Sequence, residues 1–333
     1  MQKPVIAFVT GGYSTEAVIS YKSAETIEKH VDRAKFDVYK IDITPKGWFY
    51  ESPEGKKMAV AREDFSLNPG GKKINFDAVL IGIHGTPGED GKLQGYFDML
   101  NIPYTSCDAA ASAITFNKRY TVAVAAFAGI PVARSVHLFK ENTTDAIGIL
   151  SQVKLPVFVK PNNGGSSIGM SRVNDKKDLQ PALEKAFNED NQVLVEEFIA
   201  GREFTVGVFR TASEIIVLPI TEVISKKEFF DYEAKYSGLN EEITPAAINE
   251  EMAGKIRDTA RKIFEIFNCR GVVRIDFIYN EARDEPFILE INTIPGQSEA
   301  SIVPKQVKAM GWTLQQFYST LIDEALSRST RRS

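Results

Sequence analysis

Two cysteines in 333 residues, Cys107 and Cys269, are too few and too far apart for a disulfide framework or a C-x-x-C zinc site, and read as two reduced thiols. Histidine is nearly as scarce. His30, His84 and His137 never share ligand spacing on one element, which excludes a histidine-rich transition-metal centre and leaves any metal to hard oxygen donors. No apolar run approaches the roughly 20 residues that cross a bilayer, and no basic-then-apolar leader opens the chain, so a cytoplasmic protein without membrane contact is expected. Positive charge is not in excess either: a net charge of −4 and a pI near 5.7 have the wrong sign for a nucleic-acid surface. Neither G-x-G-x-x-G nor a Walker loop ending in Gly-Lys-Ser/Thr occurs, which argues against a dinucleotide fingerprint and a P-loop.

What is present has ordinary globular proportions, with 43% hydrophobic and 25% charged residues, and the length suffices for two or three domains that each bury a core. The apolar run Val5–Val9 ends in Thr10-Gly11-Gly12 and feeds a helix-compatible stretch from Thr15 to about Lys29, while Val38–Ile43 and Ala78–Ile83 repeat the buried-strand pattern. Residues 1–106 are therefore expected to form a doubly wound parallel-sheet α/β domain. A helix over Lys118–Ala128 stops at Gly129-Ile130-Pro131, after which short strand patterns at Val132–Leu138, Val157–Lys160 and Val193–Glu197 flank a helix at Leu179–Phe187, giving an α+β unit over 107–199. The remainder, 200–333, carries strand patterns at Glu203–Phe209, Ile215–Ile220, Gly271–Tyr279 and Pro286–Ile291 and helices at Ile248–Phe267 and Thr313–Ser327. Within it the polar stretch Lys226–Glu242 is longer than a usual connection and reads as a binding loop that is mobile when empty and closes over ligand.

Four segments carry chemistry. In Gly11-Gly12-Tyr13-Ser14-Thr15-Glu16 a strand hands over to a helix N-terminus, and Glu16 reads equally well as a first-turn residue or a functional carboxylate. From His84 to Gly95, four glycines and the carboxylates of Glu89 and Asp90 follow a strand's carboxyl end, where open α/β sheets bind ligands. Lys160-Pro161-Asn162-Asn163-Gly164-Gly165-Ser166-Ser167 places a lysine at a strand end before a glycine- and serine-rich loop whose amides and hydroxyls suit phosphate. Finally, Arg274-Ile275-Asp276 and Glu290-Ile291-Asn292 alternate along two strands, so Asp276, Glu290 and Asn292 can converge as oxygen donors of the kind Mg²⁺ prefers.

Taken in order, H-G-x-x-G-E-D-G-x-x-Q-G, K-P-x-x-x-G-S-S-x-G-M, E-F-T-V, D-Y-E-A-K-Y, R-I-D and L-E-x-N-T-x-P-G resemble the D-alanine-D-alanine ligase family of the ATP-grasp superfamily from Gly11 to about Pro304. The resemblance implies a three-domain ATP-grasp fold, a homodimer, ATP as co-substrate and two Mg²⁺ or Mn²⁺ ions. It implies that ATP phosphorylates the first D-alanine, whose acyl phosphate the second D-alanine's amine attacks. By the same resemblance Glu16 holds the first ammonium with Ser166 and Tyr236 beside it, and His84 lies near the reacting carboxylate. Lys118, Lys160 and Lys235 face phosphate, Glu196, Glu197 and Ile199 meet adenine, and Glu203 takes the ribose. Asp276, Glu290 and Asn292 hold the metal, Arg274 and the Gly296 N–H face the oxyanion, and Ser301 takes the second carboxylate. Ligases forming D-alanyl-D-lactate or D-alanyl-D-serine share most of these motifs, and Tyr236 favours the dipeptide. The sequence departs from the family at Ala17-Val18-Ile19-Ser20 and at Gln297-Ser298-Glu299-Ala300, the second near the second substrate.

Overall fold

The computed structural model describes residues 3–142, 145–165, 168–225 and 240–329. Its first part runs β1 (Val5–Gly11), α1 (Ala17–His30), β2 (Asp37–Thr44), β3 (Gly47–Glu51), β4 (Lys57–Ala59), β5 (Ala78–Ile81), α2 (Lys92–Met99), α3 (Ala109–Phe116) and α4 (Lys118–Phe127). Next come β6 (Ser135–Phe139), α5 (Ala146–Leu150), β7 (Val157–Pro161), β8 (Ser171–Val173), α6 (Leu179–Phe187) and β9 (Gln192–Glu197). The last part comprises β10 (Arg202–Arg210), β11 (Ile215–Val217), β12 (Thr221–Ser225), β13 (Asn240–Ile243), α7 (Glu250–Ile266), β14 (Val272–Asn280), β15 (Glu285–Asn292), α8 (Ile302–Ala309) and α9 (Leu314–Ser329).

The described residues form three sheets. The first has the order β4-β3-β2-β1-β5, parallel at its centre where β1 lies between β2 and β5. β1 is buried on both sides, as its unbroken apolar run requires of a central parallel strand. One face is covered by α1 and by the returning α9 through Ile6, Phe8, Ile27, Phe317 and Leu321, and the other by Phe65, Leu93 and Phe97. The β3–β4 extension is antiparallel and was not legible as strand. The second sheet, β6-β9-β7-β8, is antiparallel and packs on α6. The third, β13-β12-β10-β14-β15 with β11 beside β10, buries Val273, Ile275, Phe277 and Tyr279 against α7.

α7 shows why such a helix forms: Asn249 caps it by accepting from the Met252 N–H, Glu250 and Glu251 occupy the first turn, and Ala253, Ile256, Ala260, Ile263 and Phe264 recur on one stripe. Truncating the fully buried Phe264 to alanine would cost about 3–5 kcal/mol. With Arg274 and Asp276 opposite Asn292 and Glu290 in register, all four side chains stand on the face of β14 and β15 turned away from α7. A register shift after Asp276 leaves Leu289 unpaired on β15. The two thiols are free and buried, and Cys107 Sγ accepts from the Arg270 N–H at 3.4 Å.

Candidate active site

A cavity of about 450 Å³ lies between the carboxyl end of the first sheet and the charged face of β14 and β15. Glu16, His84, Lys118, Glu203, Arg274, Asp276, Glu290, Asn292, Gly296 and Ser301 line it. Lys160, Glu196, Glu197 and Ile199 do not. They belong to the second sheet and the segment just after it, where Lys160 Nζ and Glu196 Oε2 form a buried ion pair at 2.5 Å, and Glu197 Oε1 is turned to the Lys154 N–H at 3.1 Å. Ser166, Lys235 and Tyr236 lie outside the described residues, as does most of the Lys226–Glu242 loop.

Two glycine-rich turns press on Glu16. Gly85 has φ +66°, and a Cβ there would stand 2.4 Å from Glu16 Oε2; at Gly165 it would stand 2.8 Å from Glu16 Oε1. The glycines in these motifs thus make room for one carboxylate. Lys118 opens α4 behind the Asn117 cap, and its Nζ donates to the Gly164 carbonyl at 2.6 Å, so the second loop folds over the lysine as well as the glutamate.

His84 is buried, its N–H donating to Ser20 Oγ at 2.9 Å and its Nε2 lying 3.0 Å from Ser23 Oγ. Burial, with the Arg274 charge adding to it, holds the imidazole pKa down to about 4, so the ring is neutral at physiological pH. Glu89 spans the cavity wall: its Oε2 accepts from the Gly85 N–H at 2.7 Å and its Oε1 from the Ile294 N–H at 3.2 Å. Burial first, and then the nearby Glu16 carboxylate, push its pKa up to about 8. Arg274 is fixed by two hydrogen bonds of 2.8 Å to the two oxygens of Asp276, with Glu290 3.9 Å away. Burial opposes the guanidinium's charge, but Asp276, Glu290 and Glu89 outweigh it and raise its pKa.

Asp276 also accepts from Thr205 Oγ1 at 2.5 Å, and Asn292 Nδ2 lies 3.2 Å from Asp276 Oδ2 and 3.3 Å from Glu290 Oε1. Among the described residues no three His, Cys, Asp or Glu side chains cluster for a metal. The donor set is instead two carboxylates and one amide, joined within single hydrogen bonds. Rotating the Asn292 amide would present its oxygen, and an all-oxygen set of this kind fits Mg²⁺. Beyond it, Ser301 begins α8 without a side-chain cap, its Oγ 2.7 Å from that of Ser298, which leaves backbone N–H groups at the cavity's edge for an anion.

Reasoning from sequence missed Ser20, Ser23, Thr205 and Gln297 and gave Glu89 no role. A signal existed for the serines: Ser20, Ser23, Ala24 and Ile27 fall on the buried stripe of α1, and polar residues on such a stripe need partners.

An α/β domain whose sheet is parallel at its centre, facing two antiparallel sheets across a charged cleft, defines the ATP-grasp class of nucleotide-dependent ligases. Family profiles agree: one described as the D-ala D-ala ligase N-terminus matches residues 5–107, and one described as the D-ala D-ala ligase C-terminus matches residues 124–323. The chain belongs to the D-alanine-D-alanine ligase family. It is 42% identical over 322 residues to the D-alanine--D-alanine ligase of Flavobacterium johnsoniae, covering 97% of this chain and 99% of that one. Against its Parabacteroides distasonis counterpart it is 42% identical over 330 residues, with 99% and 100% covered. Among solved structures, the VanG D-Ala:D-Ser ligase from Enterococcus faecalis superposes with a TM-score of 0.87 at 32% identity, covering 97% of this chain and all 100% of that one. D-alanyl-alanine synthetase A from Vibrio cholerae gives 0.86 at 28% identity over 98% and 99%.

Proposed function

We propose that this chain couples conversion of ATP to ADP and phosphate to the joining of two D-alanine molecules, forming the D-alanyl-D-alanine used in peptidoglycan synthesis. The observation that carries the reading is a single cavity in which one carboxylate, one fixed guanidinium, a metal-suited oxygen cluster and an uncapped helix start face each other. In this reading Glu16 receives the first substrate's ammonium. His84, uncharged beside the reacting carboxylate, offers polarity without pairing with it. Arg274 and the Gly296 N–H stand where negative charge develops when the second amine adds to the acyl phosphate, and donors so preorganised lower such barriers by about 3–4 kcal/mol apiece. Ser301 and the first turn of α8 hold the second carboxylate, orienting its amine.

Lys118, Lys160 and Lys235 take phosphate oxygens, Glu196, Glu197 and Ile199 receive adenine, and Glu203 receives the ribose; Ser166 and Tyr236 close over Glu16. Asp276, Glu290 and Asn292 would hold Mg²⁺ or Mn²⁺, which supplies charge neutralisation between phosphates when bound. Domain bounds of 1–106, 107–199 and 200–333 belong to the same reading, supported by one sheet falling in each segment, as does a cytoplasmic homodimer.

A second reading, formation of D-alanyl-D-serine, is favoured by the likeness to a D-Ala:D-Ser ligase. Phosphate release from ATP and Mg²⁺, with products weighed by mass spectrometry, separates the two. D-alanine alone should give the dipeptide and L-alanine nothing. A dominant mixed product with D-serine would install the second reading, and absence of turnover with D-alanine in every combination would remove both.

A further inference from the structure

α1 meets the cavity through Ile19, Lys22 and Ser23, and of these Ser23 bonds the His84 ring. Ser23, 1% exposed, meets two groups: the Gln297 N–H donates to its Oγ at 3.0 Å, and His84 Nε2 lies 3.0 Å from the same oxygen. The hydroxyl has one proton to give, and no third partner for it exists among the described residues. A buried O–H left without an acceptor costs about 1–3 kcal/mol, so the proton belongs on the line to Nε2. That nitrogen is then the acceptor, and in a neutral imidazole the other nitrogen, Nδ1, carries the hydrogen.

Gln297 connects this serine to the far side of the molecule. It follows Gly296 directly, so the hydrogen bond from its N–H to Ser23 fixes the plane of the Gly296–Gln297 peptide. Its own side chain is anchored twice, Nε2 donating to the Pro295 carbonyl at 3.1 Å and Oε1 accepting from Tyr318 Oη at 3.2 Å. The line Tyr318, Gln297, Ser23, His84 runs from α9 to the cavity wall, every link buried. It passes through the stretch after Gly296 where the sequence departs from the family pattern.

We infer that Ser23 is a positioning residue of the ligase: its hydroxyl, acting with the hydrogen bond between the ring and the Ile294 backbone, sets the tautomer and ring orientation of His84 while clamping the Gly296–Gln297 peptide. The inference rests on the proposed function only for its kinetic consequence, since the tautomer is a property of the unliganded protein. Ring-nitrogen NMR of histidine-labelled protein reads it directly. The chain has only 3 histidines, and His84→Gln identifies the signal. The wild-type ring should carry its hydrogen on Nδ1 with Nε2 bare. Ser23→Ala, which leaves the ring only its Ile294 bond, should shift it to a mixture of tautomers and lower kcat on the order of ten-fold while leaving KM for ATP unchanged. Ser23→Thr, which keeps the hydroxyl, should restore both.

A hydrogen on Nε2 in the wild type overturns the inference, whether or not the alanine variant folds, and so does a Ser23→Ala protein with unaltered tautomer and kcat. If the tautomer behaves as expected while the wild type makes no dipeptide from D-alanine, the assignment of Ser23 stands and the ligase reading is what fails.

Discussion

The two sides of the cleft are held in different ways. Around Glu16 and Arg274 the fixing bonds cross between the first and third sheets: Glu89 bridges the Gly85 and Ile294 amides, and Ser23 joins His84 to the Gln297 amide. On the side proposed for the nucleotide, cations are met by protein acceptors nearby, Lys160 by Glu196 on the neighbouring strand and Lys118 by the Gly164 carbonyl. The side proposed for acyl transfer is thus organised across its parts before substrate arrives, whereas the side proposed for the nucleotide holds its lysines on acceptors that, in that reading, phosphate oxygens would replace. Ligand binding should therefore change the second far more than the first.

The largest effects test that contrast. Lys160→Met should destabilise by about 3–5 kcal/mol, because Glu196, only 8% exposed at its side chain, is left as an uncompensated buried charge. Adding Glu196→Gln should return the denaturation midpoint toward wild type without returning ATP affinity, and a double variant that binds ATP normally would show that the pair is scaffold alone. Next, Arg274→Ala should lower kcat by about 10²–10³. Arg274→Lys should recover little, since one ammonium cannot reproduce the two 2.8 Å bonds to Asp276; a loss under ten-fold in steady-state assays removes Arg274 from the oxyanion role. Gly85→Ala is smaller. A side chain at φ +66° and 2.4 Å from Glu16 Oε2 should cost about 1–3 kcal/mol in urea unfolding and raise KM for D-alanine by displacing Glu16. Unchanged KM would show that Glu16 need not stay where it lies.

Much of this was legible because period and order are properties of the chain itself. The alternation in Arg274-Ile275-Asp276 and Glu290-Ile291-Asn292 predicts shared faces, and the register of β14 with β15 adds only that the two faces coincide. α6 keeps the bounds its apolar spacing predicts, Leu179–Phe187. Less legible was whatever depends on a distant partner. β3 and β4 survive as an antiparallel extension because β2 offers an edge, which no local pattern in Gly47–Ala59 announces. Ser23 looks like any helical serine until Gln297, 274 positions later, is found donating to it. Glu89 stood inside a motif rich in glycine, yet its shifted pKa comes from enclosure and from Glu16, neither of them visible in sequence.

That shift gives the smallest and most selective test of the acyl side. In the folded protein Glu89 keeps its proton to about pH 8, while an unfolded chain releases it near 4.5. Between these values the unfolded state binds fewer protons than the folded one, so this group's contribution makes stability fall as pH rises. His84 works in the opposite sense: unfolded it takes a proton near 6.5, folded only near about 4, so its contribution makes stability rise with pH across that window. Glu89→Gln removes the first effect and keeps the second. Whatever constant offset the amide introduces against the Gly85 and Ile294 N–H groups, the variant's melting temperature relative to wild type should climb from pH 4.5 to pH 8 and level off above it. A difference that stays flat through that range would mean Glu89 is already ionised beside Glu16, and the acyl side would then hold two negative charges for Arg274 and the incoming ammonium to balance.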